Sequence, residues 1–187
     1  MIRTLRISYP AFFGTKLDET IRFYTELLGM EIVLRQPNLD DASMEHLFFH
    51  VGEDNFIAYF LTKNDHAQLK YAQAKPGIGG MNHLAIDVDE ASFEEALARL
   101  KADGIVVRGP TDRGYERSIY FKDPNGVRIE LLVWLTPPPA DVPQAAIIKR
   151  AQTIRQARGA EFVEDADVQE AIAALTAERA AISTTPI

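Results

Sequence analysis

A carboxylate stands inside an apolar run in the later part of the chain, where Glu130 lies between Ile129 and Leu131 in the stretch RIELL. An acidic side chain in such a place is either on a solvated face or held in the interior by a cation, because a buried charge needs a compensating partner. The residues alone leave both alternatives open. Which alternative holds decides whether Glu130 has a functional role or is only a residue of a sheet.

The residues around Glu130 predict a β-hairpin that positions its side chain. Residues 118–132 read SIYFKDPNGVRIELL. Pro124 presets the φ angle of a turn, and Gly126 accepts the positive φ that ends it. Beyond the turn, apolar and polar residues alternate with a period of two, which indicates a strand with two unlike faces.

Other polar residues are candidates for binding a small molecule. His50 shares a predicted strand face with Phe48, although a surface position near a turn also explains it. Arg113, Tyr115 and Arg117 are expected in the loop before the hairpin. They could bind an anionic group of a substrate, and a solvated charged loop explains them equally well. We take His50, Phe48 and Arg117 as the candidate substrate-binding residues.

Composition limits the classes of function. The chain has 187 residues, of which 47% are hydrophobic, so it can bury a sizeable core. The formal net charge of −7 argues against nucleic acid or an anionic membrane as the main partner. The absence of cysteine excludes disulfides and thiolate chemistry. Neither a membrane span nor a signal peptide is recognisable, so we expect a cytoplasmic protein.

The first part of the chain predicts a strand, a helix and three more strands. The first strand candidate, at 5–13, contains Pro10, which places it at a sheet edge or at a bulge. A helix is expected over 18–28, capped by Asp18 and stopped by Gly29. Strands then follow at 31–35, 45–51 and 56–61.

The pattern restarts after the linker-like sequence KPGIGG at 75–80. A strand is expected at 83–88, a helix at 91–103 with Ser92 and Glu95 at capping-box spacing, and a strand at 105–107 before the hairpin. IVLRQP at 32–37 resembles VVRGP at 106–110, and HLFF at 46–49 resembles SIYF at 118–121. We therefore predict an α+β fold of two tandem βαβββ modules, at about 5–63 and 81–135, within a domain over 1–136.

A helical extension is predicted over 137–187, after the prolines at 137–139. Helices are expected at 145–158 and 167–182, the second with Asp167 and Glu170 at cap spacing. The extension is interpreted as a charged tail docked on the surface, with a lid or a dimer arm as the alternative.

FYTELLGMEIV at 23–33 and YFKDPNGVRIEL at 120–131 resemble the vicinal oxygen chelate superfamily, which includes glyoxalase I, extradiol dioxygenases, fosfomycin-resistance enzymes and bleomycin-binding proteins. The resemblance covers about residues 5–135. It implies that each module curls its sheet into a cup, and that metal ligands come from the first and last strand of each module.

Carried over onto this chain, the resemblance implies His83 and Glu130 as metal ligands from the second module. The corresponding positions of the first module fall on Tyr9 and Ala58, so two of the four usual ligand positions are lost. A neutral imidazole and a carboxylate suit a divalent iron, manganese or zinc ion. Alternatively, His83 and Glu130 form a metal-free hydrogen-bonded pair or a structural remnant.

Two functions follow from the resemblance. The first is a metal-dependent enzyme, a dioxygenase or a lyase, in which the ion chelates vicinal substrate oxygens and Tyr120 or Tyr9 handles protons. His50 could replace a lost metal ligand. The second is a metal-free protein that binds an aromatic or drug-like compound, with a cup lined by aromatic residues of the first module: Phe12, Phe13, Phe48, Phe49, Phe56, Tyr59 and Phe60. In either case a small molecule is the expected partner, and the protein is expected to be a homodimer.

Overall fold

The computed structural model describes residues 7–63 and 78–183. In the first module, the strands are β1 at Ala11–Gly14, β2 at Glu31–Pro37, β3 at Met44–Gly52 and β4 at Asn55–Thr62. Helix α1 covers Leu17–Arg22 and continues as a π-helical turn over Phe23–Leu27. Gly29 follows with a φ of 72°, as the predicted helix stop requires.

The second module repeats this order of elements. Its strands are β5 at Leu84–Asp87, β6 at Arg108–Asp112, β7 at Glu116–Lys122 and β8 at Arg128–Trp134, and its helix α2 covers Glu90–Ala102. Two further helices, α3 at Gln144–Ala157 and α4 at Asp165–Ser183, form the extension. None of the described helices has the length and apolar character needed to cross a membrane.

The two sheets have the same topology. Their strand orders are β1-β4-β3-β2 and β5-β8-β7-β6. In the first sheet β1 runs parallel to β4, whereas β2 and β4 are antiparallel to β3. The predicted α+β fold with duplicated βαβββ modules is therefore confirmed.

By contacts between residues, the described chain forms two compact units. The first contains the described residues up to Ile86 together with Glu94–Arg108 and Tyr120–Glu130. The second contains Asp87–Phe93, Gly109–Ile119 and the chain from Leu131 onwards. The predicted domain boundary between residues 136 and 137 stays a prediction.

The core of the first unit lies between the first sheet and α1 with its π-helical turn. Its largest fully buried side chains include Tyr24, Phe49 and Tyr59, and the rings of Tyr24 and Phe49 stack with centroids 4.8 Å apart. Odd-numbered residues of β3 such as Leu47 and Phe49 are completely buried, whereas His46, Phe48 and His50 are half-buried. The two faces of β3 thus differ, as the alternation predicts.

The second unit has its own small core, made by the extension and the ends of two strands. Its buried members are Val142, Ile147, Ala151, Val168 and Ala171. Tyr115 and Trp134, which lie just before β7 and at the end of β8, pack against this cluster. The extension is therefore docked through apolar contacts within this unit.

Several predicted caps are wrong. Helix α1 begins one residue before Asp18, so this carboxylate lies in the first turn and makes no cap hydrogen bond. Helix α2 is capped by Asp89, whose Oδ1 accepts from the backbone N–H of Ser92 at 2.7 Å. Helix α4 begins before Asp167, whose side chain reaches back to the backbone N–H of Glu164 at 2.8 Å.

Two strand predictions need correction. No strand forms at 105–107; the strand is β6, which begins at Arg108. Its sequence RGPTD is polar and exposed, so it lacks the apolar residues by which a strand is predicted. Its Pro110 is tolerated because β6 is an edge strand and needs fewer backbone donors. The first strand begins after Pro10, at Ala11, and lies at a sheet edge as expected.

Candidate functional site

Glu130 is held in the interior by specific partners. Its residue surface is 5% exposed, and its neighbours Ile129 and Leu131 are also buried. The Oε2 atom lies 2.9 Å from Nε2 of His83. The Oε1 atom accepts a hydrogen bond from the phenol of Tyr120 on the adjacent strand β7. The carboxylate is therefore buried beside two polar side chains and does not lie on a solvated face.

His83 immediately precedes β5, and its other ring nitrogen is also engaged. Nδ1 lies 3.2 Å from Oδ1 of Asn82. The guanidinium of Arg128 donates to the same oxygen at 3.0 Å, which identifies that atom as the amide oxygen because arginine only donates. The ring of His83 also meets the ring of Tyr120 edge to face, with centroids 5.7 Å apart.

These contacts bear on what joins His83 to Glu130. Since Asn82 Oδ1 is an acceptor, it favours a proton on Nδ1 of His83. The 2.9 Å separation of Nε2 from Oε2 of Glu130 fits either a hydrogen bond between the two atoms or a metal ion bound by both. The contact to Asn82 is also the kind of outer hydrogen bond that orients metal-binding histidines.

The pair fits two neighbouring positions around a metal ion. Two ligand atoms bound at about 2.1 Å and at right angles to each other lie about 3 Å apart, close to the separation of His83 Nε2 and Glu130 Oε2. Within residues 7–63 and 78–183, no group of three or more His, Asp or Glu side chains is placed to hold an ion. This chain would thus supply two strong ligands, with the remaining positions left to water or substrate oxygens.

At the two first-module positions expected from the resemblance, Ala58 offers no ligand atom and Tyr9 offers a phenol. Ala58 is completely buried in β4, opposite Phe48 of β3. Tyr9 is 43% exposed, and its ring contacts that of Phe48 with centroids 4.9 Å apart. The role of Tyr9 as a catalytic residue stays a prediction.

Instead, aromatic rings of the first module form one continuous surface, which we call the aromatic face. The ring of His46 stacks on Phe60 with centroids 4.4 Å apart, and Phe48 stacks on Phe56 with centroids 5.9 Å apart. The aromatic face comprises Tyr9, His46, Phe48, Phe56 and Phe60. Partial burial lowers the pKa of His46, which keeps that ring neutral near pH 7.

The predicted aromatic lining needs correction, because its seven members do not share one face. Phe49 and Tyr59 are fully buried in the core on the helix side of the sheet. Phe12 packs against Tyr59, with ring centroids 5.4 Å apart, and so lies on that same side. Strand alternation divides the set, because consecutive residues point to opposite faces.

The two other candidate substrate-binding residues have local partners. Nε2 of His50 lies 2.7 Å from the backbone oxygen of Glu53 in the β3–β4 turn. Arg117 lies in β7 and not in a loop, pairs with Glu90, and places its guanidinium 4.9 Å from the ring centroid of Phe93. Their substrate-binding roles stay predictions.

Sequence reasoning missed Asn82 and Arg128, which extend the contacts of the pair. The period of two in β8 could have identified Arg128, since it shares strand parity with Glu130. Asn82 directly precedes His83, but nothing in the sequence pattern reports the orientation of its amide.

Comparison with known proteins agrees with this fold. Residues 6–131 match the family model of the Glyoxalase/Bleomycin resistance protein/Dioxygenase superfamily. A protein of Vibrio parahaemolyticus named "Probable lactoylglutathione lyase" is 31% identical over 122 residues, which cover 62% of this chain and 81% of that protein. The chain therefore belongs to the Glyoxalase/Bleomycin resistance protein/Dioxygenase superfamily.

Two other similarities show how far the match extends. A protein of Arabidopsis thaliana named "Probable lactoylglutathione lyase, chloroplastic" is 35% identical over 120 residues, and the match spans only 32% of its length and 62% of this chain. The structure of trypanothione-dependent glyoxalase I of Leishmania major superposes with a TM-score of 0.55 at 20% identity, covering 83% of this chain and 99% of that one. The latter similarity supports the fold alone.

Proposed function

We propose that the protein is a metal-dependent small-molecule enzyme, a lyase or a dioxygenase of its superfamily, in which His83 and Glu130 hold a divalent iron, manganese or zinc ion. The observation that carries this proposal is the 2.9 Å contact between His83 Nε2 and Glu130 Oε2, with Asn82 at the opposite ring nitrogen. When bound, the ion would act as a Lewis acid and as a template for two vicinal substrate oxygens.

The residues of the pair have distinct roles in this proposal. Glu130 compensates positive charge in the interior, and its low exposure keeps bulk water from its carboxylate. Asn82 and Arg128 orient the ring of His83 through one shared amide oxygen. Tyr120 holds its proton against Glu130 Oε1 and is the residue we expect to exchange a proton with a bound substrate. Tyr9 is retained as a second candidate for that role.

Metal content tests the proposal directly. The protein is purified without chelator, dialysed against iron, manganese or zinc, and analysed for bound metal. We expect about one ion per chain in the wild type, and at least a tenfold weaker affinity in His83→Ala and Glu130→Gln, because each removes one ligand. Glu170→Gln is the matched control for Glu130→Gln, since this carboxylate is exposed on α4. Unchanged metal binding in His83→Ala would contradict the proposal.

A second function is favoured by the aromatic face. Its rings present an apolar surface that suits an aromatic compound, and the half-buried residues Phe48, Phe56 and Phe60 are already packed in place. Metal-free protein titrated with 1-naphthol would then show saturable binding, weakened about tenfold by Phe48→Ala and unchanged by Phe162→Ala, whose residue is 70% exposed. Binding that depends on metal and on His83 would favour the enzyme instead.

We also propose a cytoplasmic homodimer. The mass of the purified chain by light scattering should be twice 20.9 kDa across micromolar concentrations. A mass of one chain throughout that range would contradict the dimer. Fractionation of the source cells should recover the protein with cytoplasmic markers, and recovery in another compartment would contradict the assigned location.

A further inference from the structure

A cavity of about 310 Å³ lies in the same compact unit as the His83–Glu130 pair. Tyr120 is one of its lining residues, and the hydroxyl of Tyr120 donates to Glu130. Ile105 and Val106 supply apolar wall, the latter with 81% exposure. The side chain of Tyr120 therefore connects this cavity to the buried carboxylate of Glu130.

The cavity is lined by three cations in a chain whose net charge is −7. They are Arg108 of β6, Lys122 of β7 and Arg128 of β8. Among the residues that the structure describes, no carboxylate lies within ion-pair distance of any of the three. The hydrogen bond of Arg128 goes to the neutral amide of Asn82 and compensates no charge.

Other arginines of the chain differ from these three cations in having a carboxylate partner. Many pair with a carboxylate: Arg22 with Asp103, Arg35 with Glu45, Arg117 with Glu90, Arg150 with Glu178, and Arg158 with Asp167. Acidic residues outnumber basic ones by 27 to 20, so three cations gathered around one cavity without a carboxylate partner depart from this pattern. Like charges in one cavity repel each other, and a bound anion would remove that repulsion.

We propose that this cavity binds the anionic group, a carboxylate, phosphonate or phosphate, of a small-molecule ligand. The guanidinium groups of Arg108 and Arg128 suit two oxygens of one oxyanion, and Lys122 adds a point charge. As a substrate class this rests on the proposed function, because it takes Tyr120 and Glu130 as the adjoining reactive site. The ligand is then an oxygen-rich molecule with an anionic end in the cavity and its reacting oxygens toward His83.

The test measures binding of three probes to chelator-treated, metal-free protein by calorimetry. Phenylphosphonate and benzoate carry the two kinds of anion, and benzyl alcohol is the neutral analogue. We expect saturable binding of at least one anion and none of the alcohol. The double variant Arg108→Gln/Lys122→Gln should bind that anion at least tenfold more weakly. Arg128 is left intact because it also contacts Asn82.

A charge-matched control separates a site from general attraction. Lys149→Gln/Arg179→Gln removes the same charge from α3 and α4 and should bind within twofold of the wild type. Equal weakening in both double variants, or no saturable binding of either anion at millimolar concentration, would overturn the proposal. His83→Ala in metal-free protein should retain anion binding. Retained anion binding with failed metal uptake would refute only the proposed function, and metal uptake without anion binding would refute only this inference.

Discussion

The phenol of Tyr59 donates a hydrogen bond to the buried carboxylate of Asp123, which joins the last strand of the first module to the hairpin turn of the second. The phenol of Tyr24 lies 3.3 Å from the same carboxylate oxygen. The other oxygen accepts the backbone N–H groups of Asn125 at 3.0 Å and Val127 at 2.8 Å. Burial raises the pKa of both phenols, so they remain protonated and able to donate.

Replacing Tyr59 with phenylalanine tests the energetic value of this contact. The change keeps the ring but leaves a buried carboxylate with one donor fewer, so we expect the free energy of unfolding to fall by about 1–3 kcal/mol. Urea denaturation measures it. Tyr9→Phe is the control, because Tyr9 is 43% exposed, and it should change the free energy of unfolding by no more than about 0.5 kcal/mol. Equal effects of the two variants would show that the Tyr59–Asp123 bond contributes nothing specific.

Asp123 should also make stability depend on pH with an unusual sign. Burial raises its pKa above the ordinary value of 3.8, although its four hydrogen bonds oppose the shift. The folded state therefore binds this proton more tightly than the unfolded state does. The contribution to stability is fully present below pH 3.8 and is lost as pH rises through the folded pKa.

The variant Asp123→Asn isolates this effect from the other carboxylates. The free energy of unfolding of the wild type minus that of Asp123→Asn should decrease as pH rises from 3 to 7, measured by urea denaturation at each pH. An increase over that range would mean that the hydrogen bonds outweigh burial and that the pKa of Asp123 is lowered in the folded state.

The sequence predicted the duplication and the hairpin well because these depend on local signals. Turn residues such as Pro124 and Gly126, and a period of two in the strands, report on neighbours in the chain. The partners of Asp123 could not be predicted that way, since Tyr59 and Tyr24 are 64 and 99 residues distant.

For the candidate site too, some residues could be predicted from the sequence and others could not. Resemblance to a family predicts His83 and Glu130, and in the structure their side chains converge. The sequence does not predict the cavity lined by Arg108, Lys122 and Arg128. Arg108 lies in a strand of polar, exposed residues whose sequence does not indicate a strand. The sequence predicts an anion-binding cluster at residues 113–117, where Arg117 pairs with Glu90, and that role stays a prediction.

Gly14 is required by a close approach between β1 and the hairpin turn of the second module. A Cβ atom there would lie 2.5 Å from Cδ2 of Leu61 and 2.6 Å from Oδ1 of Asn125. The amide of Asn125 cannot easily move, since it accepts from the backbone N–H of Thr15 at 3.1 Å and donates to the hydroxyl of Thr20 at 2.8 Å. We expect Gly14→Ala to lower the free energy of unfolding by about 1–3 kcal/mol, measured in urea.

A double-variant cycle assigns that cost to Asn125. In the Asn125→Ala background, Gly14→Ala should cost at least about 0.5 kcal/mol less than in the wild type, because one of the two obstructing side chains is gone. Strict additivity of the two changes would place the whole clash on Leu61 and contradict a role for the asparagine.

The extension provides a last prediction, at the ion pair between Arg158 and Asp167. Asp167 is 2% exposed, and its two oxygens accept from Arg158 Nε at 3.1 Å and Nη2 at 2.8 Å. The hydrogen bonds from Arg158 lower the pKa of Asp167 below its ordinary value of 3.8. Its contribution to stability is therefore present above pH 3.8 and is lost as pH falls through the folded pKa.

Asp167→Asn should accordingly lower the Tm at pH 7, and the difference from the wild type should shrink as the pH falls from 4 to 2. Thermal unfolding followed by far-ultraviolet circular dichroism measures this, since α3 and α4 contribute 14 and 19 helical residues. The control is Asp141→Asn, whose carboxylate is 69% exposed beside Arg179 and should shift the Tm much less at any pH. A difference for Asp167→Asn that stays constant down to pH 2 would show that its effect is packing and not charge.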